Sequence, residues 1–81
     1  MRIHVKLFAI IRERAGVGEI QLDLSNNATI SDAVRSLGEN RPTIADLLNR
    51  AAFAVNQSVV DAKTMLKDGD ELAILPPVSG G

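Results

Sequence analysis

Three observations predict an α+β domain in which one main helix packs across a mixed β-sheet. Apolar and polar residues alternate in short runs near the start, at residues 20–24 and near the end of the chain, the period of strands with one buried face. A single longer run, from Thr29 to Gly38, carries apolar residues at helical spacing behind a cap signal. The resulting order of strand, strand, helix and further strands is that of an α+β fold.

Ile3, Val5 and Leu7 alternate with His4, Lys6 and Phe8, which gives the first strand. A short helical turn is expected over residues 9–15. Gly16 and Gly18 then punctuate the chain before Ile20, Leu22 and Leu24 alternate with Gln21 and Asp23. These two strands are expected to pair antiparallel. Thr29 followed by Asp32 fits an N-cap with an acidic partner, and Ile30, Ala33, Val34 and Leu37 form the apolar stripe of the main helix, expected to end near Gly38.

Thr43 and Asp46 repeat the cap pattern over a shorter helix whose apolar face is Ile44, Leu47 and Leu48. Residues 51–55 and 71–75 read as strands, with Val59-Val60 a short edge strand, and Asn56 and Gln57 serve a turn or strand end. Lys67-Asp68-Gly69-Asp70 is a turn signal in which Gly69 takes positive φ. The spacing and terminal Glu of a calcium loop are missing around it. With the last strand central and beside the first, alternation turns Leu72 and Ile74 toward the helix with Ile3, Val5 and Leu7. Ala73, Leu75 and Phe8 are left on the open face, as a docking surface or, for Phe8, as cover for a local gap.

Composition narrows the function. Eighty-one residues make one domain with a modest core and no room for a large enclosed active site. Nine Lys plus Arg against ten Asp plus Glu give a net charge of −1, and Phe8 and Phe53 are the only aromatic residues, so nucleic acid is not an expected partner. Without cysteine the chain has no disulfide, thiolate metal site or catalytic thiol. His4 has no second ligand or nucleophile near it in sequence, no glycine-rich loop has phosphate-cradling spacing, and no metal site is expected. No apolar run approaches a membrane span and the start lacks the sections of a signal peptide, so the reading is a soluble, cytoplasmic protein without a membrane partner.

The end of the chain is the most informative feature. Residues 1–75 form the expected folded domain, and Pro76-Pro77-Val78-Ser79-Gly80-Gly81 an extended, flexible tail. Pro76 and Pro77 cannot donate to a sheet and stiffen the base of the tail. Gly80 and Gly81 carry no Cβ, so they fit a channel too narrow for side chains. Six extended residues reach about 20 Å at ~3.3 Å each, enough to carry the terminal carboxylate into a partner's pocket.

Val55-Asn56-Gln57, the segment Leu66-Lys67-Asp68-Gly69-Asp70-Glu71-Leu72 and the Pro-Pro-Val-Ser-Gly-Gly ending resemble the sulfur-carrier small subunits of molybdopterin synthase, as do Leu7-Phe8-Ala9 and Arg12-Glu13. The resemblance covers the whole length, with the ending its most specific part. It implies the ubiquitin-like β-grasp fold. It also implies that an ATP-dependent, E1-like activating enzyme, using Mg²⁺, adenylates Gly81, and that a sulfur donor converts the adenylate to a thiocarboxylate. The large synthase subunit then accepts the carrier, in an assembly of two small and two large subunits, and sulfur passes to the cyclic pyranopterin monophosphate precursor of the molybdenum cofactor. The chain itself would hold no cofactor beyond the covalent sulfur at Gly81, and the large subunit's residues would supply the catalysis.

Carried over by position, the resemblance implies that Phe8, Val59 and Leu75 form an apolar contact surface for both partners, continued by the Pro76-Pro77-Val78 lead-in, with Gly80 in the partner's channel and Arg12 offered to a partner salt bridge. Ile74-Leu75 stands where relatives carry an aromatic pair, which makes the surface less extensive. The alternatives are a related carrier for thiamine, cysteine or tRNA thiolation, a protein modifier joined through Gly81 to a lysine, and a binding module with an inert tail.

Overall fold

In the computed structural model, which describes residues 1–77, the elements follow in the order β1 (Arg2–Leu7), α1 (Ala9–Ala15), β2 (Glu19–Asp23), α2 (Ile30–Asn40), a 3₁₀ turn (Pro42–Ile44), α3 (Ala45–Leu48), β3 (Ala52–Val55), β4 (Ser58–Val60) and β5 (Glu71–Leu75). The strands form one sheet in the order β2-β1-β5-β3-β4. β1 and β2 pair antiparallel, with Ile3 opposite Leu22 and Val5 opposite Ile20. β5 enters between β1 and β3, parallel to β1 and antiparallel to β3. A parallel pair cannot be closed by a hairpin, and here the whole segment between β1 and β5, including α2, makes the crossover.

Register decides which side chains enter the core. Val5 lies beside Leu72 and Leu7 beside Ile74, and on the other side Phe53 lies beside Ile74 and Val55 beside Leu72. All of these share the face covered by α2, whose Ile30, Ala33 and Leu37 are buried against it. Ile11 from α1, Ile44 and Leu48 complete the core. Leu72 and Ile74, in the central strand, are fully buried. This is the expected arrangement of a ubiquitin-like β-grasp.

α2 begins as its sequence predicts. The Asp32 N–H donates to Thr29 Oγ1 at 3.3 Å and the Thr29 N–H donates to Asp32 Oδ2 at 2.9 Å, a reciprocal capping box. Two further N–H groups of the first turn, on Ile30 and Ser31, donate to the carbonyls of Thr64 and Ala62 in the segment that returns from β4. The end of α2 differs from expectation, since Gly38 lies inside the helix, which runs to Asn40. A Cβ on Gly38 would stand 3.7 Å from both the Ala45 Cβ and Leu48 Cδ1, so this glycine sits where α3 packs closely. The helix stops at Arg41, with φ −135° and ψ 76°, because Pro42 disfavours helical backbone in the residue before it.

Pro42 also overrides the second cap. It starts the 3₁₀ turn with Arg41 as its N-cap, Thr43 falls inside that turn, and α3 begins at Ala45 without a side-chain cap bond. The Asp46 carboxylate instead pairs with Arg14 at 3.6 Å, joining α3 to α1. Asn56 and Gln57, with φ of 48° and 73°, form the two-residue turn between β3 and β4, a conformation that favours Asn. Gly69, at φ 85°, takes the positive φ expected of it.

Candidate functional site

The site is assembled where β5 ends. After Leu75 the chain leaves the sheet through the half-buried Pro76 and the exposed Pro77. Val78, Ser79, Gly80 and Gly81, which carry the expected reactive end, lie outside the described residues. The geometry therefore concerns the surface from which the tail departs.

The sheet face opposite α2 is divided across its width. Its β2 and β1 half is charged: Arg2 Nε donates to Asp23 Oδ1 at 2.8 Å, Lys6 Nζ meets Glu71 Oε1 at 3.0 Å, and His4 Nδ1 lies 3.9 Å from Glu19 Oε1. The hydrogen bond with Arg2, reinforced by its charge, holds the Asp23 carboxyl below the usual range. The hydrogen bond with Glu71 raises the Lys6 ammonium above its ordinary value. These pairs are exposed and serve mainly to keep this half polar.

The other half is apolar. One row across the sheet reads Ala73, Ala54 and Val59, and the next joins Leu75 to Ala52. Phe8 follows Leu7 in extended backbone (φ −132°, ψ 154°), so it alternates onto the open face and extends the second row beyond Leu75. Phe8 is 41% exposed and Val59 79%, while Ala54 between the larger side chains is only 7% exposed. The result is a shallow floor of small residues, Ala52, Ala54 and Ala73, bounded by Phe8, Leu75 and Val59. An apolar side chain protruding from another protein fits such a surface.

Three of the residues expected at a docking surface, Phe8, Val59 and Leu75, thus lie on one face beside the tail's departure. Arg12 does not belong to that apolar face; it is exposed on α1, one helical turn beyond Phe8. Pro76 and Pro77 continue from Leu75 at the same sheet end. Sequence reasoning missed Ala52 and Ala54, since nothing in an Ala-Phe-Ala-Val strand tells which face looks outward until β3 is registered against β5.

The remaining polar candidates have structural partners. The Lys67 N–H donates to Asp70 Oδ2 at 2.8 Å, Asn56 Nδ2 donates to Asp70 Oδ1 at 3.0 Å, and the Glu71 N–H donates to Asn56 Oδ1 at 3.0 Å. The Arg2 N–H donates to Asp68 Oδ1 at 2.7 Å. Both turn carboxylates are therefore spent on N–H groups, and among the described residues no cluster of three or more His, Cys, Asp or Glu could hold a metal ion. Among the same residues no helix is long and apolar enough to cross a membrane.

Comparison with known proteins agrees with this architecture. A molybdopterin synthase sulfur carrier subunit of Chlamydomonas reinhardtii is 41% identical over 83 residues, covering 100% of both chains. Among solved structures, SAMP1 from Haloferax volcanii is similar with a TM-score of 0.89 at 29% identity over 100% of each chain. A complex of subunits 1 and 2 of molybdopterin-converting factor from Helicobacter pylori 26695 contains a chain similar at a TM-score of 0.73 and 28% identity, again over 100% of each chain. The ThiS family model matches residues 5–81, and with the β-grasp sheet and the whole-length relatives this identifies the chain as a member of the ThiS family.

Proposed function

We propose that this chain is a sulfur carrier for molybdopterin synthesis, with residues 1–75 as docking domain and residues 76–81 as reactive tail. The observation that carries the reading is where the chain leaves the fold: Pro76 and Pro77 depart from the end of β5 directly beside an exposed apolar face, and Gly80-Gly81 follow them in the sequence. The whole-length relatives named as sulfur carrier subunits support the same reading.

The terminal carboxylate is ionised at neutral pH and a poor electrophile, so sulfur can replace its oxygen only after activation. In the proposed sequence the Gly81 carboxylate attacks the α-phosphorus of ATP on an E1-like enzyme that supplies Mg²⁺, and pyrophosphate leaves. Hydrosulfide from a sulfur donor then attacks the acyl carbon and AMP leaves, which yields the thiocarboxylate; a donor persulfide gives an acyl disulfide instead, and a thiol reductant cleaves its S–S bond to the same product. We propose that this step takes place in the cytoplasm. The loaded carrier docks through Phe8, Val59 and Leu75 on the large synthase subunit, where sulfur passes to the cyclic pyranopterin monophosphate and the carboxylate is restored by water. The Helicobacter pylori complex of subunits 1 and 2 supports a larger partner of this kind, and we propose two copies of each subunit in the assembly.

The similarity to SAMP1 and to the small archaeal modifier protein 1 of H. volcanii favours one second reading: transfer of the activated Gly81 acyl group to a lysine amine. A carrier for thiamine, cysteine or tRNA thiolation would share the thiocarboxylate and differ in acceptor. The deciding experiment incubates the protein with its activating enzyme, ATP and a sulfur donor and measures intact mass, with a chain lacking Gly81 as control. Exchange of one oxygen for sulfur, absent from the control, followed by sulfur transfer to the pterin with the large subunit, is the expected result. An isopeptide-linked product without thiocarboxylate would establish the modifier reading instead, and transfer to another acceptor would reassign the pathway.

A further inference from the structure

The two edge strands of the sheet differ in what they leave open. β4 has three residues and its Val59 belongs to the apolar floor, whereas β2 has five residues and borders the charged half of the open face. The Leu24 N–H donates to the Met1 carbonyl at 2.8 Å, the Met1 amino group donates to the Leu24 carbonyl at 2.7 Å, and the Leu7 N–H donates to the Gly18 carbonyl at 2.9 Å. Those bonds fix the parity of the ladder. Bonded and non-bonded positions alternate in an antiparallel pair, so Ile20 and Leu22 turn their backbone groups toward β1. The N–H and carbonyl groups of Glu19, Gln21 and Asp23 point out of the sheet, and among the described residues no hydrogen bond engages them.

We propose that the β2 edge accepts an extended segment of a partner protein as a sixth, antiparallel strand, and that this segment alternates basic with apolar residues. The site uses neither the tail nor the apolar floor, so it stands whether or not the chain is a sulfur carrier. A bare edge is a template for strand addition unless a proline, a bulge or a covering element blunts it. β2 contains no proline, and its register runs without a bulge from Arg2 opposite Asp23 to Lys6 opposite Glu19.

Charge selects the occupant. The side chains of Glu19, Gln21 and Asp23 are exposed on the open face, while Ile20 and Leu22 alternate onto the core face, where Ile20 is only half-buried. A second copy pairing antiparallel about Gln21 would set Glu19 opposite Asp23 twice, and like charges directly opposite each other are destabilising. The same two carboxylates favour an incoming strand that places Lys or Arg against them. Arg2 already engages Asp23 at 2.8 Å, whereas Glu19 has His4 at 3.9 Å, so the attraction is strongest at Glu19. The intervening residues of the incoming strand fall beside Ile20 and Leu22 at the rim of the core, a place for apolar side chains.

The probe is the end-capped peptide Lys-Val-Thr-Ile-Lys, whose antiparallel pairing sets its lysines opposite Asp23 and Glu19 and its threonine opposite Gln21. Titrated into the isotope-labelled full chain, it should give saturable amide shifts in nuclear magnetic resonance spectra, centred on Glu19–Asp23, with a dissociation constant of about 1 mM. N-methylation of its threonine, whose N–H faces β2, should abolish the shifts. N-methylation of its valine, whose N–H faces away, should leave them. Glu19→Lys should weaken binding about tenfold, and the acidic peptide Glu-Val-Thr-Ile-Glu should not bind. Absence of saturable shifts, equal binding of the two N-methylated peptides or equal binding of the acidic peptide overturns the proposal. So do shifts of the same amides with protein concentration alone, which would mean that a second copy takes the edge.

Discussion

Asn56 shows how much one side chain of ordinary chemistry does in this fold. Its amide donates to Asp70 and accepts from the Glu71 N–H, while its own N–H donates to the Glu71 carbonyl at 2.9 Å. The hairpin turn between β3 and β4 is thereby tied to the start of β5, and Asp70, though buried, has its carboxylate oxygens occupied. Among the described residues no buried side-chain nitrogen or oxygen lacks a partner. Asn56→Ala leaves the Asp70 carboxylate short of a donor and should cost about 2 kcal/mol in denaturant unfolding. Asp32 carries the acid response of α2. The hydrogen bond from the Thr29 N–H, joined by the Thr29 hydroxyl and Arg35, holds its carboxyl below the ordinary range. A depressed carboxyl stabilises the fold above the unfolded value near 4, and that contribution is lost as pH falls through the lower folded value. Stability should therefore decline on acidification below about pH 4, and Asp32→Asn should flatten the decline in an acid titration followed by circular dichroism.

At the scale of elements, the turn before β5 determines where the central strand begins. Gly69 takes φ 85°, its N–H donates to the Arg2 carbonyl at 2.8 Å, and the His4 N–H donates to the Asp70 carbonyl at 2.9 Å. The turn is thus stitched to β1 before β5 starts. Gly69→Ala meets no neighbour within 4 Å, so its penalty is purely that of left-handed backbone in an L-residue. It should lower stability by about 1–2 kcal/mol, readable as a shift of the urea midpoint at unchanged slope. α2 combines local and tertiary contacts at its boundaries. Its capping box depends on Thr29 and Asp32, the Ile30 and Ser31 N–H groups depend on the carbonyls of Thr64 and Ala62, and the helix runs through Gly38 until Pro42 stops it.

At the scale of the whole molecule, the sheet separates two tasks. One face is closed by α2 and carries the stability, and the other is divided between ion pairs and an apolar floor next to the departing tail. Substitutions on the two faces should separate accordingly. Leu72→Ala, on the closed face of the central strand, should cost about 2–5 kcal/mol of stability. Val59→Asp, on a side chain that is 79% exposed, should change stability by less than about 0.5 kcal/mol. It should nevertheless weaken binding to the large subunit, measured by calorimetry against the unsubstituted chain.

The division between sequence and tertiary structure follows the range of the interactions. Alternation along β1, β2 and β5, the Thr29–Asp32 box and the Gly69 turn are readable in the sequence, because each depends on residues within a few positions of one another. The open-face positions of Phe8 and Leu75 follow from the same alternation once β5 is placed beside β1. The second cap at Thr43 misleads because Pro42, one residue earlier, dictates the backbone on both sides of itself. The alanine floor of the apolar face and the pairing of Asp46 with Arg14 are decided only by the fold. Each joins residues from separate elements, and the register that brings them together is set by packing the central strand, not by any local preference.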